Sequence, residues 1–253
     1  MTEDFTQRLT LSRHATDRRA DLRTKPGLFD ELAQDVRTRV IVLHNGKALV
    51  DGNVLVTLTS PHHMRPSVLK AARQNPDPRL AALPQPRVGM VLGGPSGVHR
   101  FEAPDIAALC AIAREILASG QGLMVTPSRR TPDELVKALR TAVQESGSAA
   151  SAFIWDGTGD NPYAQALVVT ADSVNMVGEA ASTGAPVFVY EPTGGAAKMS
   201  GFISKLVDAG ALRLLPPARA LDWSKERWSY PPVDATGLIA DEVVRRYRAF
   251  RGI

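Results

Sequence analysis

Four short blocks hold the residues able to do chemistry. Gly93-Gly94-Pro95-Ser96-Gly97 follows the apolar run from Val88 to Leu92, and Asp172-Ser173 follows the run from Ala166 to Thr170. Each precedes a helical pattern, so each would present unpaired backbone N–H groups where a buried strand ends, the chemistry that binds phosphate. Gly94, Ser96 and Gly97 would let a ligand approach bare backbone. Asp172 and Ser173 would stand at a helix start, where Ser173 either caps the helix or meets a phosphate. Glu179 lies about 9 Å along that helix from Ser173 at ~1.5 Å per residue, an offset that fits a ribose attached to a diphosphate. A solvated helix position is the plainer role for an isolated glutamate.

Ser128, Arg129 and Arg130 follow Val125-Thr126-Pro127 at another strand end. A guanidinium there could grip a diphosphate through paired charge-assisted hydrogen bonds, or simply be solvated. Trp155 opens a polar loop that runs through Asp156, Gly157, Thr158, Gly159, Asp160, Asn161, Pro162 and Tyr163; backbone groups with Trp155 or Tyr163 could frame a nucleobase, or Trp155 could simply pack into the core. Gly194-Gly195 followed by Lys198 is a further candidate anion contact. Among the five histidines, His62, His63 and His99 are the candidates for a general base, because imidazole titrates near neutrality. A structural or exposed role is the alternative for each. No histidine or cysteine spacing makes a metal site, and no nicotinamide fingerprint, P-loop or nucleophile elbow occurs.

Alternating strand and helix patterns position these blocks. Strands are expected at Val88–Leu92, Leu123–Thr126, Ala152–Trp155, Ala166–Thr170 and Pro186–Tyr190. Helices are expected at Asp105–Ala118, Thr131–Gln144, from Ser173 to Gly184, from Gly201 to Ala209, and at Thr236–Phe250. Thr131 as N-cap, Pro132 at the first position and Glu134 would form a capping box. The alternation implies parallel βαβ units after a linker at Leu83-Pro84-Gln85-Pro86. Before it, the chain offers a polar arginine-rich arm to about residue 38, a short helix from Leu28 to Val36, strands at Val40–Leu43 and Val54–Leu58 with a turn at Asn45-Gly46, and a brief helix at Pro66–Ala72.

The totals fit such a reading. The chain has 253 residues, 44% hydrophobic and 22% charged, enough for one large domain or two small ones. Its net charge of +4 favours anionic ligands, but scattered arginines rather than a basic tail supply it, so nucleic acid is not indicated. Cys110 is the single cysteine, which excludes an internal disulfide and leaves a buried inert thiol as its expected role. With neither a signal-peptide pattern nor a membrane-length apolar run, a cytoplasmic protein is expected.

Taken in order, Gly93 to Gly97 with His99-Arg100-Phe101, Thr126 to Pro132, Trp155 to Tyr163, and Val169 to Met176 resemble the mitochondrial fission ELM (elongated mitochondria) family. Its bacterial members are often labelled predicted nucleoside-diphosphate-sugar epimerases. The likeness runs from about Gly52 to the carboxyl terminus. That family is in turn similar to GT-B glycosyltransferases of the murein type, whose carboxyl-terminal Rossmann-like domain holds a UDP-sugar.

The resemblance implies an α/β fold with a Rossmann-like parallel-sheet domain of GT-B type over residues 86–253. A truncated acceptor-side region over residues 1–85 would precede it. Gly94, Ser96, Gly97 and Ser173 would hold the diphosphate and Glu179 the ribose. The implied activity is metal-independent transfer from a nucleoside-diphosphate sugar, a substrate rather than a cofactor, to a lipid or envelope acceptor. Helix-end N–H groups with Arg129 or Arg130 would stabilise the leaving group. The epimerase label finds no support, since no Tyr-x-x-x-Lys pair is present.

The alternative is a non-catalytic nucleotide-binding or partner-recruiting module, favoured by the short acceptor half and by the plant members' link to organelle division. Arg245, Arg246, Arg248 and Arg251 could meet an anionic membrane surface, placing the protein at the periphery of the inner membrane, or merely suit a helix C-terminus. A homodimer stays open as a source of the missing half. The stretch from Asn161 to Leu167 is shorter than the family has there, so a helix between two strands is expected to be missing.

Overall fold

The structure, a computed structural model, describes residues 39–42, 54–64, 66–158, 166–215 and 221–252. The expected arm with its Leu28–Val36 helix, the Asn45-Gly46 turn and the stretch from Gly159 to Gln165 lie outside the described residues.

Two strands, β1 (Arg39–Val42) and β2 (Val54–Thr57), pair in parallel, and α1 (Pro66–Gln74) follows. From β3 (Arg87–Leu92) the chain alternates through α2 (Ala103–Ala118), β4 (Gly122–Pro127), α3 (Asp133–Glu145) and β5 (Ala152–Ile154). It continues with β6 (Ala166–Thr170), α4 (Val174–Ala181), β7 (Val187–Tyr190), α5 (Ala197–Asp208), β8 (Leu212–Leu214) and the closing α6 (Ala235–Arg251). Strands β3 to β8 form one six-stranded, wholly parallel sheet in the order β5-β4-β3-β6-β7-β8. This is the Rossmann-like α/β class read from the sequence. A sheet covered on both faces needs apolar residues on both, which is why its strands read as continuous hydrophobic runs rather than alternations. Met90, Leu92, Val168 and Phe188 pack with α2 and α3 on one face, while Val169, Val187 and Val189 pack with α4 and α5 on the other. Phe188 also meets the Trp223 and Trp228 rings edge-on, each at 5.1 Å.

Strand β8 was not expected: three residues with only Leu212 buried give no readable period. The capping box on α3 does not form. Its N-cap is Pro132, which makes no side-chain cap, because Thr131 turns its hydroxyl to the Leu92 and Gly93 carbonyls at 2.9 and 2.7 Å. The Gly93 carbonyl has no other partner among the described residues, and a buried carbonyl in that position outcompetes a helix start open to water. Helix α5 begins at Ala197, ahead of the Gly201 expected, and α4 ends at Ala181 with Ser182 as C-cap.

The last helix serves the start of the chain. Ala235, Ile239, Ala240 and Val243 of α6 pack with Leu55 of β2. The Thr236 hydroxyl accepts the His62 N–H at 2.8 Å and donates to the His62 carbonyl at 3.0 Å. Where β2 ends, Thr59 reaches α4, and a Cβ on Gly178 would stand 3.3 Å from its Cβ.

Candidate functional site

The strand order reverses between β3 and β6, and the loops leaving those two strands meet at the carboxyl edge of the sheet. That crevice is where open parallel sheets take ligands. The glycine block leaves β3 there and Asp172-Ser173 leaves β6 there, so the two strongest sequence blocks face each other.

They are locked together. Gly93 N–H donates to the Thr170 hydroxyl at 2.8 Å and Gly94 N–H to Asp172 Oδ2 at 3.0 Å. The Thr170 hydroxyl in turn donates to Asp172 Oδ1 at 2.6 Å. Arg130 reaches the same Oδ2 at 3.2 Å and the Pro95 carbonyl at 3.1 Å, joining the loops after β3, β4 and β6. The Asp172 side chain is wholly buried and that of Arg130 is 49% exposed. Glycine is required on both sides of the knot, since a Cβ on Gly93 would collide with the Asp172 carboxylate and one on Gly94 with the Arg130 carbonyl. Asp172 therefore occupies, with its own carboxylate, the space into which the glycine turn opens. Ser128 completes the β4 side: its N–H is shared between the Leu92 carbonyl and the Thr131 hydroxyl at 2.9 and 2.8 Å, and its own hydroxyl accepts the Arg130 N–H. Arg129, beside it, is exposed and makes no ion pair or hydrogen bond among the described residues.

Ser173 is the N-cap of α4, but its hydroxyl accepts the Met176 N–H only at 3.4 Å, and the N–H groups of Val174 and Asn175 find no acceptor among the described residues. Such a helix start still attracts an anion. Glu179 is half-buried one position after Gly178, on the helix turn that Thr59 covers.

A second knot stands beside the first. Ser96 N–H donates to the His99 carbonyl, and the Ser96 hydroxyl lies 3.2 Å from His99 Nδ1. His99 is 4% exposed, and its backbone bridges Gly194 in the loop between β7 and α5. Gly195 N–H donates to the Val98 carbonyl at 2.7 Å and Arg100 N–H to the Thr193 carbonyl at 2.8 Å. Asp105 holds this loop from beneath, accepting the Tyr190 hydroxyl at 2.9 Å and the N–H groups of Thr193 and Glu102 at 3.1 and 2.8 Å. Burial works to raise the Asp105 carboxyl, yet these hydrogen bonds outweigh it and hold the group below the ordinary aspartate value. Burial, with Asp105 alongside, pushes the Tyr190 phenol up. Lys198 is exposed in the first turn of α5, and Gly97 is exposed at the tip of the glycine loop.

The remaining predicted residues lie apart. His62 is buried against α6, with Nε2 3.4 Å from the Val233 carbonyl, while His63 is exposed beside it. Trp155 follows the edge strand β5, two strands from β3, and its indole N–H returns to the Thr158 carbonyl at 2.8 Å. Among the described residues no group of three His, Cys, Asp or Glu side chains could hold a metal, and no helix is long and apolar enough to cross a membrane. Sequence reasoning missed Thr131, Thr170, Asp105 and Tyr190. A threonine or aspartate at the start or end of an element reads as a cap, and only the three-dimensional neighbour shows otherwise.

A six-stranded parallel sheet with this reversal, a glycine turn and a serine-capped helix at the crossing defines a Rossmann-like α/β protein. A family model described as mitochondrial fission ELM1 matches residues 31–247. The chain belongs to that family. Mitochondrial fission protein ELM1 of Arabidopsis thaliana is 32% identical over 206 residues, 79% of this chain and 47% of that protein. The uncharacterized protein RP120 of Rickettsia prowazekii (strain Madrid E) is 30% identical over 165 residues, 60% of this chain and 44% of that one. The chain thus spans about half the length of the curated relatives it matches. Among solved structures, LpCGTa in complex with UDP aligns at 17% identity and TM-score 0.39, covering 81% of this chain and 42% of its own. A ugt transferase from Siraitia grosvenorii in complex with UDP aligns at 13% identity and TM-score 0.39, covering 79% and 49%.

Proposed function

We propose that the carboxyl edge between β3 and β6 binds a nucleoside-diphosphate sugar and that the protein transfers the sugar to an acceptor met by its amino-terminal side. One observation carries the reading: the reversal of strand order sets the lightly capped start of α4 beside the arginine loop after β4. Two of the glycine-loop N–H groups are engaged by Thr170 and Asp172, so the diphosphate falls to Ser173, Val174 and Asn175, with charge from Arg129. Gly97 at the loop tip leaves room for it, and Glu179 is the carboxylate set back to meet the ribose hydroxyls. In the transfer, an acceptor oxygen attacks the anomeric carbon, the bond to the β-phosphate oxygen breaks and the acceptor proton passes to a base. Negative charge grows on the phosphate at the helix start, where fixed N–H groups oppose it. Of the three candidate histidines only His63 is exposed, so the base role falls to it.

A thermal-shift screen with UDP-, GDP-, ADP- and CMP-sugars tests the binding. At 100 times Kd a ligand stabilises by about 2.7 kcal/mol. At roughly 2–4 °C per kcal/mol for a chain of this size, Tm should rise by about 5–10 °C. Glu179→Ala should reduce that shift, and release of UDP or its counterpart in the presence of a lipid-linked acceptor would report turnover. A screen with no shift refutes the donor site.

The second reading, a module that recruits a partner without catalysis, is favoured by Asp172. A carboxylate already seated in the glycine turn leaves less of the edge for a phosphate. Nucleotide-induced stabilisation without sugar release would support that reading.

A further inference from the structure

We propose that the start of α5, with His99 and Lys198, is a seat for a compact oxyanion, a carboxylate or a phosphate group. The hydrogen bonds around Ser96 fix the chemistry of His99. The Ser96 hydroxyl oxygen accepts two backbone N–H groups, from Val98 at 3.3 Å and His99 at 3.1 Å, so its single hydrogen is left for His99 Nδ1. An accepting Nδ1 places the ring proton of the neutral imidazole on Nε2. That Nε2 has no partner among the described residues: His99 is 4% exposed, and Nε2 is not among its fully buried atoms.

Nε2 is the ring atom nearest the turn into α5, 3.6 Å from where a Cβ on Gly195 would stand. Glycine at that position keeps the approach open. Behind it, α5 starts on Ala196, which has no side chain to cap it, and the N–H groups of Ala196, Ala197 and Lys198 find no acceptor among the described residues. A twelve-residue helix brings its positive end to the same spot, and Lys198 adds a full charge in the first turn. The loop is already held in place by Asp105 beneath Thr193 and by the bridge of His99 to Gly194, so little ordering remains for a ligand to impose. An imidazole N–H, helix-end amides and an ammonium are all donors, which suits an anion and offers nothing to a cation.

Helices α4 and α5 follow neighbouring strands, and packed helices lie about 8–10 Å apart, the scale of one hexose hanging from a diphosphate. Placed so, the seat would receive an acidic group on the sugar of the donor. This last assignment rests on the nucleotide reading above, whereas the seat itself does not.

The test follows backbone amide resonances of the full chain by NMR. Inorganic phosphate, titrated at constant ionic strength against chloride, should shift the Ala196, Ala197 and Lys198 signals saturably. Lys198→Ala should weaken that binding about two- to fivefold, the effect of one exposed charge. Ala196→Asp supplies an N-cap carboxylate at extended backbone angles of −140° and 146°, the geometry a cap requires. It should raise Tm by about 2–4 °C and abolish the phosphate-induced shifts, so lost binding cannot be confused with lost folding. Motionless signals at Ala196 to Lys198, or shifts that survive Ala196→Asp, overturn the seat. UDP-glucuronic acid and UDP-glucose then separate the sources. Tighter binding of the acidic sugar, lost in Ala196→Asp, assigns the seat to the donor, and equal binding assigns it to a separate phosphate-bearing ligand. Failure of UDP to move the Ser173 to Met176 signals would overturn the nucleotide reading alone and leave the phosphate result standing.

Discussion

Replacing Asp172 tests the knot on which the carboxyl edge depends. In Asp172→Ala the Gly94 N–H and the Thr170 hydroxyl lose a buried acceptor, and Arg130 loses its ion partner. A buried donor left unsatisfied costs about 1–3 kcal/mol, and hydrogen bonds to a charged group lie at the upper end. The half-exposed Arg130 adds little, because water replaces its partner. The sum is roughly 3–4 kcal/mol, or a fall in Tm of about 6–16 °C at ~2–4 °C per kcal/mol. Asp172→Asn should cost less, about 1–2 kcal/mol: the amide oxygen can still serve Gly94 and Arg130, and its NH2 can donate to Thr170, which strands one hydroxyl proton. Arg130→Ala should cost about 1 kcal/mol, since Gly94 and Thr170 still solvate the carboxylate. Urea unfolding of the four proteins, fitted for midpoint and slope, gives these values directly. The order Ala, then Asn, then the arginine variant is the prediction. Asp172→Ala within about 0.5 kcal/mol of the parent would refute the claim that this carboxylate holds the loops, as would Arg130→Ala proving the costliest of the three.

Asp105 supplies a pH signature. Its folded value is depressed below 3.8, so its stabilisation is complete above that value and is lost as pH falls through the folded one; Asp105→Asn should cost about 1–3 kcal/mol at neutral pH, with a gap to the parent that closes below about pH 4 in acid-unfolding curves. Cys110 is buried on α2 and burial pushes its thiol up, so it should react with iodoacetamide at least ~10-fold more slowly in the folded protein than in urea; equal rates would contradict its burial.

Much of the fold was legible because the sheet is parallel and covered on both faces. Val88 to Leu92 and Ala166 to Thr170 have no polar interruption, and a buried parallel strand can be read from such a run alone. The site was legible as far as residue types that imply backbone conformation, Gly93, Gly94 and Ser173. Tertiary competition was not. Thr131 has every local attribute of an N-cap, yet it serves the carbonyls of a strand remote in sequence. Asp172 reads as a residue at a helix start, and only the approach of β3 to β6 shows its carboxylate turned inward to Gly94 and Arg130. Likewise His99 is one histidine among five until the bridge to Gly194 brings it against α5.

The two knots divide the charge of the edge between them. Asp172 neutralises Arg130 and fills the glycine turn, so the positive potential at the crossing no longer sits in that turn. What remains are the ends of two neighbouring helices, α4 with its long serine cap and α5 with none, each backed by an exposed cation, Arg129 or Lys198. Fixed helix-end dipoles act over about one turn, so two such ends favour a ligand carrying charge at two separated points over one carrying it at a single point. A nucleoside diphosphate joined to an acidic sugar has that pattern, and inorganic phosphate has half of it. On the proposed function, donor binding would need only the edge of β3 to β8, whereas transfer would also need an acceptor surface beside His63, next to the His62 backbone that Thr236 of α6 holds. Cutting that tie with Thr236→Val should therefore leave nucleotide-induced stabilisation intact while lowering any sugar transfer, which separates the two halves of the function in a single variant.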